Sequence, residues 1–167
     1  MSIDIRPLTL EEIGLVEAQT AFNNPKQHRD RLARQERGDV VYWIAWDAKI
    51  PVAHVLVKWS GVALEPMASA LPGCPDIENL YVIPDYRQQG IGSGLLNAAE
   101  FHTRKRGYRH IGLSVGIDNS IARAMYAGRG YRDAGFDIYT LSGSYLNHDG
   151  QTQFWQETCH YFVKSLA

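Results

Sequence analysis

The chain has 167 residues, 45% of them hydrophobic, and sets 17 Lys and Arg against 18 Asp and Glu for a formal charge of −1. At about 100 to 200 residues per domain this reads as one domain over residues 1–167, without the positive field that holds a polyphosphate backbone, which argues against nucleic acid as a partner. Cys74 and Cys159 build neither a disulfide framework nor a zinc motif, which fits a reducing cytoplasm. No apolar run approaches the roughly 18 residues of a membrane span, and the first residues lack the pattern of an export signal.

Residues 3–8 alternate as a short strand, and Thr9 with Glu12 three residues later reads as a capping box, predicting a helix over 10–22. Asn23-Asn24-Pro25 starts a second helix that Gly38 ends. Its polar composition predicts a mostly solvated helix, of the kind that serves as a lid. The β-branched and aromatic runs 40–46 and 50–59, joined by Asp47-Ala48-Lys49, read as a hairpin. Residues 61–75, rich in Pro, Gly and small residues, read as a long loop. A strand over 76–83 is stopped by Pro84. A helix over 91–106 places Ile91, Leu95, Ala98 and Ala99 on one face and ends at Gly107. A strand over 109–115 precedes a helix capped from Asp118-Asn119-Ser120. Two last strands, 131–145 and 154–164, flank the turn Asn147-His148-Asp149-Gly150. The order predicts an α/β fold: a mixed, mostly antiparallel seven-stranded sheet with helices on both faces.

Arg87-Gln88-Gln89-Gly90-Ile91-Gly92-Ser93-Gly94 lies between a strand and a helix, where consecutive backbone N–H groups and the helix dipole suit an anion. A nucleotide-hydrolysing P-loop needs a lysine after its last glycine, and Gly92-Ser93-Gly94 has none. A dinucleotide fingerprint needs glycine five residues after Gly90, where Leu95 stands. What remains is Arg-x-x-Gly-x-Gly following Leu80-Tyr81-Val82-Ile83-Pro84-Asp85-Tyr86.

Two linked segments, Leu-Tyr-Val-Ile-Pro-Asp-Tyr-Arg-Gln-Gln-Gly-Ile-Gly at 80–92 and Asn119-x-x-Ala122-x-x-x-Tyr126 beyond it, resemble the GNAT superfamily of acetyl-CoA-dependent N-acetyltransferases. The resemblance implies that Leu80, Tyr81 and Val82 offer backbone partners to the pantetheine arm, as a sheet edge does to an added strand. It implies that Gln88, Gln89, Gly90, Ile91, Gly92 and Ser93 cradle the pyrophosphate, that Arg87 aims a donor at it, and that Asn119 bonds the cofactor arm. It also implies a splay between the strand at 81–82 and that at 113–115. Acetyl-CoA is then the one cosubstrate, with no metal.

Acetyl transfer needs an uncharged amine, an oxyanion donor and a proton for the leaving thiolate. Tyr126, two helical turns from Asn119 on one helix face, is the expected proton donor, and an N–H of residues 80–82 the oxyanion donor. Asp76 and Glu78 share a strand face if no bulge intervenes, and Glu78 is the expected base, with a raised pKa where a carboxylate is partly buried. The ribosomal-protein N-terminal acetyltransferases carry a glutamate where Ser114 stands, which argues against peptide N-termini as acceptors. The six histidines form no i, i+4 pair. Trp43, Trp46, Trp59 and Trp155 read as core, while Trp155, Tyr139, Tyr145 and Tyr161 could line an acceptor pocket. The expected acceptor is a small-molecule amine. Protein lysine or N-terminal acetylation, or a CoA-binding sensor without turnover, are the alternatives. No membrane partner is expected, and the last strands are compatible with a homodimer.

Overall fold

The computed structural model describes residues 2–167. In chain order its elements are β1 (Ile3–Pro7), α1 (Ile13–Ala18), α2 (Gln27–Glu36), β2 (Val40–Asp47), β3 (Ile50–Lys58), α3 (Met67–Ala70), β4 (Asp76–Val82), α4 (Ile91–Lys105), β5 (His110–Gly116), α5 (Ser120–Gly128), β6 (Arg132–Asp133), β7 (Tyr139–Leu146) and β8 (Thr152–Ser165), with 3-10 turns at Leu10–Glu12 and Pro84–Tyr86. These make a mixed, mostly antiparallel α/β fold. The chain divides into two compact units: the described residues up to Val57 with Asn79–Ala99 and Ser144–Gln153, and Lys58–Glu78 with Glu100–Gly143 and Phe154–Ala167.

In the first unit β1 pairs antiparallel with β2, from Ile3↔Asp47 to Pro7↔Trp43, and the ladder continues to β3 and the end of β4. Both β2 and β3 are buried almost throughout, which is why their apolar runs are continuous rather than alternating. Their core includes Phe22, Tyr42, Ile44, Trp46, Leu56, Leu95 and Leu96. In the second unit β5 lies between the start of β4, parallel to it through Asp76↔Gly112 and Ile77↔Leu113, and β8, antiparallel to it from His110↔Ser165 to Gly116↔Cys159. The two-residue β6 joins β8 through Arg132↔Val163 and Asp133↔Phe162, and β7 also pairs with β8. Among the described residues no helix is long and apolar enough to cross a membrane.

Four expectations are corrected. The described strands number eight rather than seven, because residues 131–145 do not form one strand. The Asp133 carboxylate accepts the Gly135 N–H at 2.8 Å, and Gly135 takes a φ of +88°, so the chain turns there and re-enters the sheet as β7. The first helix stops at Ala18 instead of residue 22. Gln19 leaves helical geometry, donates its amide Nε2 to the Pro51 carbonyl at 2.8 Å and accepts from the Ala21 N–H. The 61–75 stretch contains the helical turn α3, seated by the buried Met67.

The fourth correction concerns α2, which is not a solvated lid. His28, Arg31 and Leu32 are buried, and the first two converge on one phenol: His28 Nδ1 lies 2.8 Å from Tyr42 Oη, and Arg31 donates to the same oxygen at 3.1 Å. Gln35 completes the attachment, its amide donating to the Leu8 carbonyl and accepting the Tyr42 N–H, both at 2.8 Å.

Candidate active site

The residues expected to act fall into two groups, one in each unit. In the first unit the last residues of β4 lead into a turn whose geometry is set by two left-handed positions, Gln88 at φ +60° and Gly90 at φ +81°. The turn is held from within. Arg87 donates Nε to the Val82 carbonyl at 2.8 Å, with its guanidinium 5.5 Å above the Tyr81 ring. The Gln89 amide donates to the Asp85 carbonyl at 3.2 Å, and the Tyr86 hydroxyl donates to Asp47 at 2.7 Å.

The first i→i−4 bond of α4 runs from the Gly94 N–H to the Gly90 carbonyl, at 3.0 Å. The N–H groups of Ile91, Gly92 and Ser93 therefore precede the helical ladder, where the partial positive charge of the helix dipole gathers. A Cβ built on Gly90 meets no atom within 4 Å, so the face of the turn is open, and a Cβ on Gly92 meets only Val82 Cγ2 at 3.8 Å. Alternating conformations with consecutive N–H groups and no side chain in front suit a phosphate. The residues present thus fit the pyrophosphate of a CoA thioester.

In the second unit Asn119 is the N-cap of α5, its side-chain oxygen accepting the Ala122 N–H at 3.1 Å. Tyr126 lies near the other end of α5 and is buried. Burial, with the charge of Glu157 as a second cause, pushes its phenol up to about 12. The Tyr131 ring packs edge-on against it at 5.6 Å.

Asp76 and Glu78 sit two residues apart on β4. Asp76 is buried and accepts the Tyr161 hydroxyl at 2.8 Å, while Glu78 is half-buried. The raised pKa falls on Asp76: burial, and then the negative charge of Glu78, push its carboxyl well above the usual range. The ladder to β5 covers the first two residues of β4, and Asn79, immediately after Glu78, takes a φ of +57°. The irregularity lies beyond the carboxylate pair and not within it. Ser114, the position that argued against peptide acceptors, shares a 2.6 Å hydrogen bond with the Tyr139 hydroxyl.

Because the folded-state pKa of Asp76 lies above its unfolded value, this group favours folding fully below the ordinary aspartate range and loses that contribution as pH rises through the folded value. Asp76→Asn keeps an acceptor for Tyr161 and removes the titration. Its urea midpoint relative to wild type should therefore climb between pH 4 and pH 8. A pH-independent difference would show that Asp76 is not held neutral.

Sequence reasoning placed Tyr161 and Tyr139 only as general candidates for lining an acceptor pocket, and it missed His54, whose Nδ1 lies 2.8 Å from the Asn79 carbonyl. The available signal was a lone imidazole in an apolar strand run, Val52-Ala53-His54-Val55. Trp46 and Trp59 are buried as core, whereas Trp155 is 45% exposed over Gly143. Among the described residues no group of three or more His, Cys, Asp or Glu is placed to hold a metal ion.

The order and pairing of these elements define an acyltransferase-type α/β fold. Residues 11–131 match the Acetyltransferase (GNAT) family, and the chain belongs to that family. The uncharacterised N-acetyltransferase MJ1207 of Methanocaldococcus jannaschii is 38% identical over 58 residues, which are 35% of this chain and 26% of that protein. An aminoglycoside N(6′)-acetyltransferase type 1 of Acinetobacter baumannii is 27% identical over 63 residues, 38% of this chain and 43% of that protein. The match thus spans less than half the length of either relative. The PaiA N-acetyltransferase of Thermoplasma acidophilum, solved in complex with coenzyme A, superposes with a TM-score of 0.67 at 17% identity, covering 99% of both chains.

Proposed function

We propose that the protein transfers the acetyl group of acetyl-CoA to a primary amine of a small molecule by direct attack. The observation that carries this reading is the passage from β4 into α4, where Gln88 and Gly90 turn the backbone and Ile91, Gly92 and Ser93 present N–H groups ahead of the helical ladder. In this reading residues 88–93 bind the pyrophosphate, the backbone of Leu80, Tyr81 and Val82 pairs with the pantetheine amides, and Asn119 bonds the same arm with its side-chain amide. Arg87 holds the turn closed on Val82 and adds positive charge beside it. When bound, the thioester supplies the activated acetyl group.

Residues of this chain do the rest. Glu78 takes the proton of the attacking amine, with Asp76 buried behind it on the strand. The Leu80 N–H donates to the carbonyl oxygen as charge develops there. Tyr126 donates its O–H to the sulfur as the thiolate departs. With its pKa near 12, Tyr126 is a hydrogen-bond donor rather than a full acid: complete transfer to a thiolate of pKa about 8.5 would run uphill by about 5 kcal/mol. The proton that finally neutralises the thiolate is the one the amine gave up. No cysteine is needed, since Cys74 and Cys159 are buried and burial raises both thiols to about 11.

A small acceptor is favoured by Ser114, which is tied to Tyr139 where a peptide-modifying relative would present a carboxylate, and by the likeness to the aminoglycoside acetyltransferase. Acetyl-CoA at a hundredfold over its dissociation constant should stabilise the protein by about 2.7 kcal/mol, read as a shift in thermal midpoint. No shift at any concentration would remove the cosubstrate, and with it the reading.

A further inference from the structure

We infer that His54 is a positioning residue that aims the Leu80 N–H, the proposed oxyanion donor; the inference rests on the transferase reading above. His54 is the polar side chain in the otherwise apolar interior of β3, and its Nδ1 lies 2.8 Å from the carbonyl oxygen of Asn79. A carbonyl only accepts, so Nδ1 carries the proton. Burial, with Arg31 and His28 nearby, holds the ring neutral and in this state.

Asn79 is a non-glycine residue at φ +57°, inside a strand. Such a conformation is uncommon inside a strand, although Asn tolerates it better than most residues, and it persists where the surroundings hold it. The Asn79 side chain is exposed, so its backbone carbonyl is the group gripped from the interior. The grip is itself rigid. The imidazole stacks on the Tyr81 ring at 5.8 Å with 27° between planes, meets Phe22 edge-on at 4.8 Å and leans on Tyr42 at 5.6 Å.

The consequence for the site follows from peptide geometry. The carbonyl of Asn79 and the N–H of Leu80 belong to one planar trans peptide, and they point in opposite directions. Fixing that carbonyl on His54 therefore directs the Leu80 N–H away from the β3 side. One ring thus sets the peptide ahead of Leu80 and the side chain just after it.

Three variants separate positioning from packing. His54→Phe keeps an aromatic ring and loses the donor. His54→Asn loses volume and places an amide nitrogen where Nδ1 stands. His54→Gln places its nitrogen at the Nε2 position. Loss of an oxyanion donor costs about 10²–10³ in kcat; a misdirected one should cost His54→Phe and His54→Gln about tenfold to a hundredfold, with the KM for acetyl-CoA changed less than about threefold. His54→Asn should recover to within about fivefold of wild type although it melts below His54→Phe. If kcat instead follows the order of the melting temperatures, the inference is overturned. Amide exchange of residues 79–82, read by mass spectrometry on the protein without ligand, should be faster than wild type in the Phe and Gln variants and near wild type in the Asn variant. Equal protection in all four proteins overturns the inference as well. A wild-type protein that turns over no amine would sink the transferase reading alone, because the exchange comparison still decides the role of His54.

Discussion

Tyr126→Phe should lower turnover about a hundredfold while leaving the acetyl-CoA dissociation constant within about twofold of wild type. The substitution removes one oxygen from a buried ring that packs against Tyr131, so its packing changes little. In the proposed mechanism it removes a donor to charge that exists only as the carbon–sulfur bond breaks. Such donors act on the transition state and not on ground-state binding, and losing one costs about 10²–10³. The raised pKa adds a second expectation. With the phenol protonated up to about 12, its ionisation contributes no limb to the pH–rate profile below about pH 11. Calorimetric binding and initial-rate measurements on the two proteins check both points. Lost binding with unchanged turnover would take Tyr126 out of the chemistry.

Glu100→Ala should cost about 3–5 kcal/mol of stability, measured by chemical denaturation. Glu100 is a buried carboxylate in the second unit, and it is the shared acceptor of two cations. Arg129 Nη2 reaches both of its oxygens at 3.0 and 2.9 Å, and Lys164 Nζ reaches them at 2.7 and 3.2 Å. Each cation is itself mostly shielded, at 18% and 22% side-chain exposure, so solvent screens the pair little. Removing the carboxylate takes their common partner away inside the fold, which is the costly direction. Replacing all three by apolar residues of similar volume should cost far less, because desolvation of the ions offsets most of their attraction. A loss under about 1 kcal/mol in Glu100→Ala would mean that water reaches the cluster.

The parts of the site that depend on backbone geometry were legible where glycine or a cap reports them. Gly90 and Gly92 mark the turn and the approach to α4, and Asn119 sits at the N-cap because its short side chain bonds the Ala122 N–H. Gln88 and Asn79 adopt the same left-handed region without being glycine, and alternation does not signal that. The turn at Gln88 comes with the glycine beside it, whereas the carbonyl of Asn79 is bonded by His54, 25 residues earlier.

Polarity misled in the same way at α2. Its sequence looks solvated, but His28 and Arg31 are drawn inward by a single hydroxyl, that of Tyr42. The overlong first helix failed for a similar reason, since the contact that ends it joins Gln19 to Pro51. At β4 the raised carboxylate pKa falls on Asp76, the more buried residue of the pair, because burial and then the charge of Glu78 beside it push it up against the opposing hydrogen bond from the Tyr161 hydroxyl, which comes from the far end of the chain. Local pattern reports the elements; the partners of buried polar groups are set by the fold.

The most direct measurement of the central claim is amine-dependent formation of free CoA, followed together with the mass of the acceptor. Purified protein with acetyl-CoA should release CoA slowly alone and much faster with a small primary amine from a panel of polyamines, amino sugars and amino-acid derivatives. The accepted amine should gain one acetyl group per CoA released. Tight acetyl-CoA binding with no amine-dependent release across that panel, or across lysine and N-terminal peptides, would contradict the account.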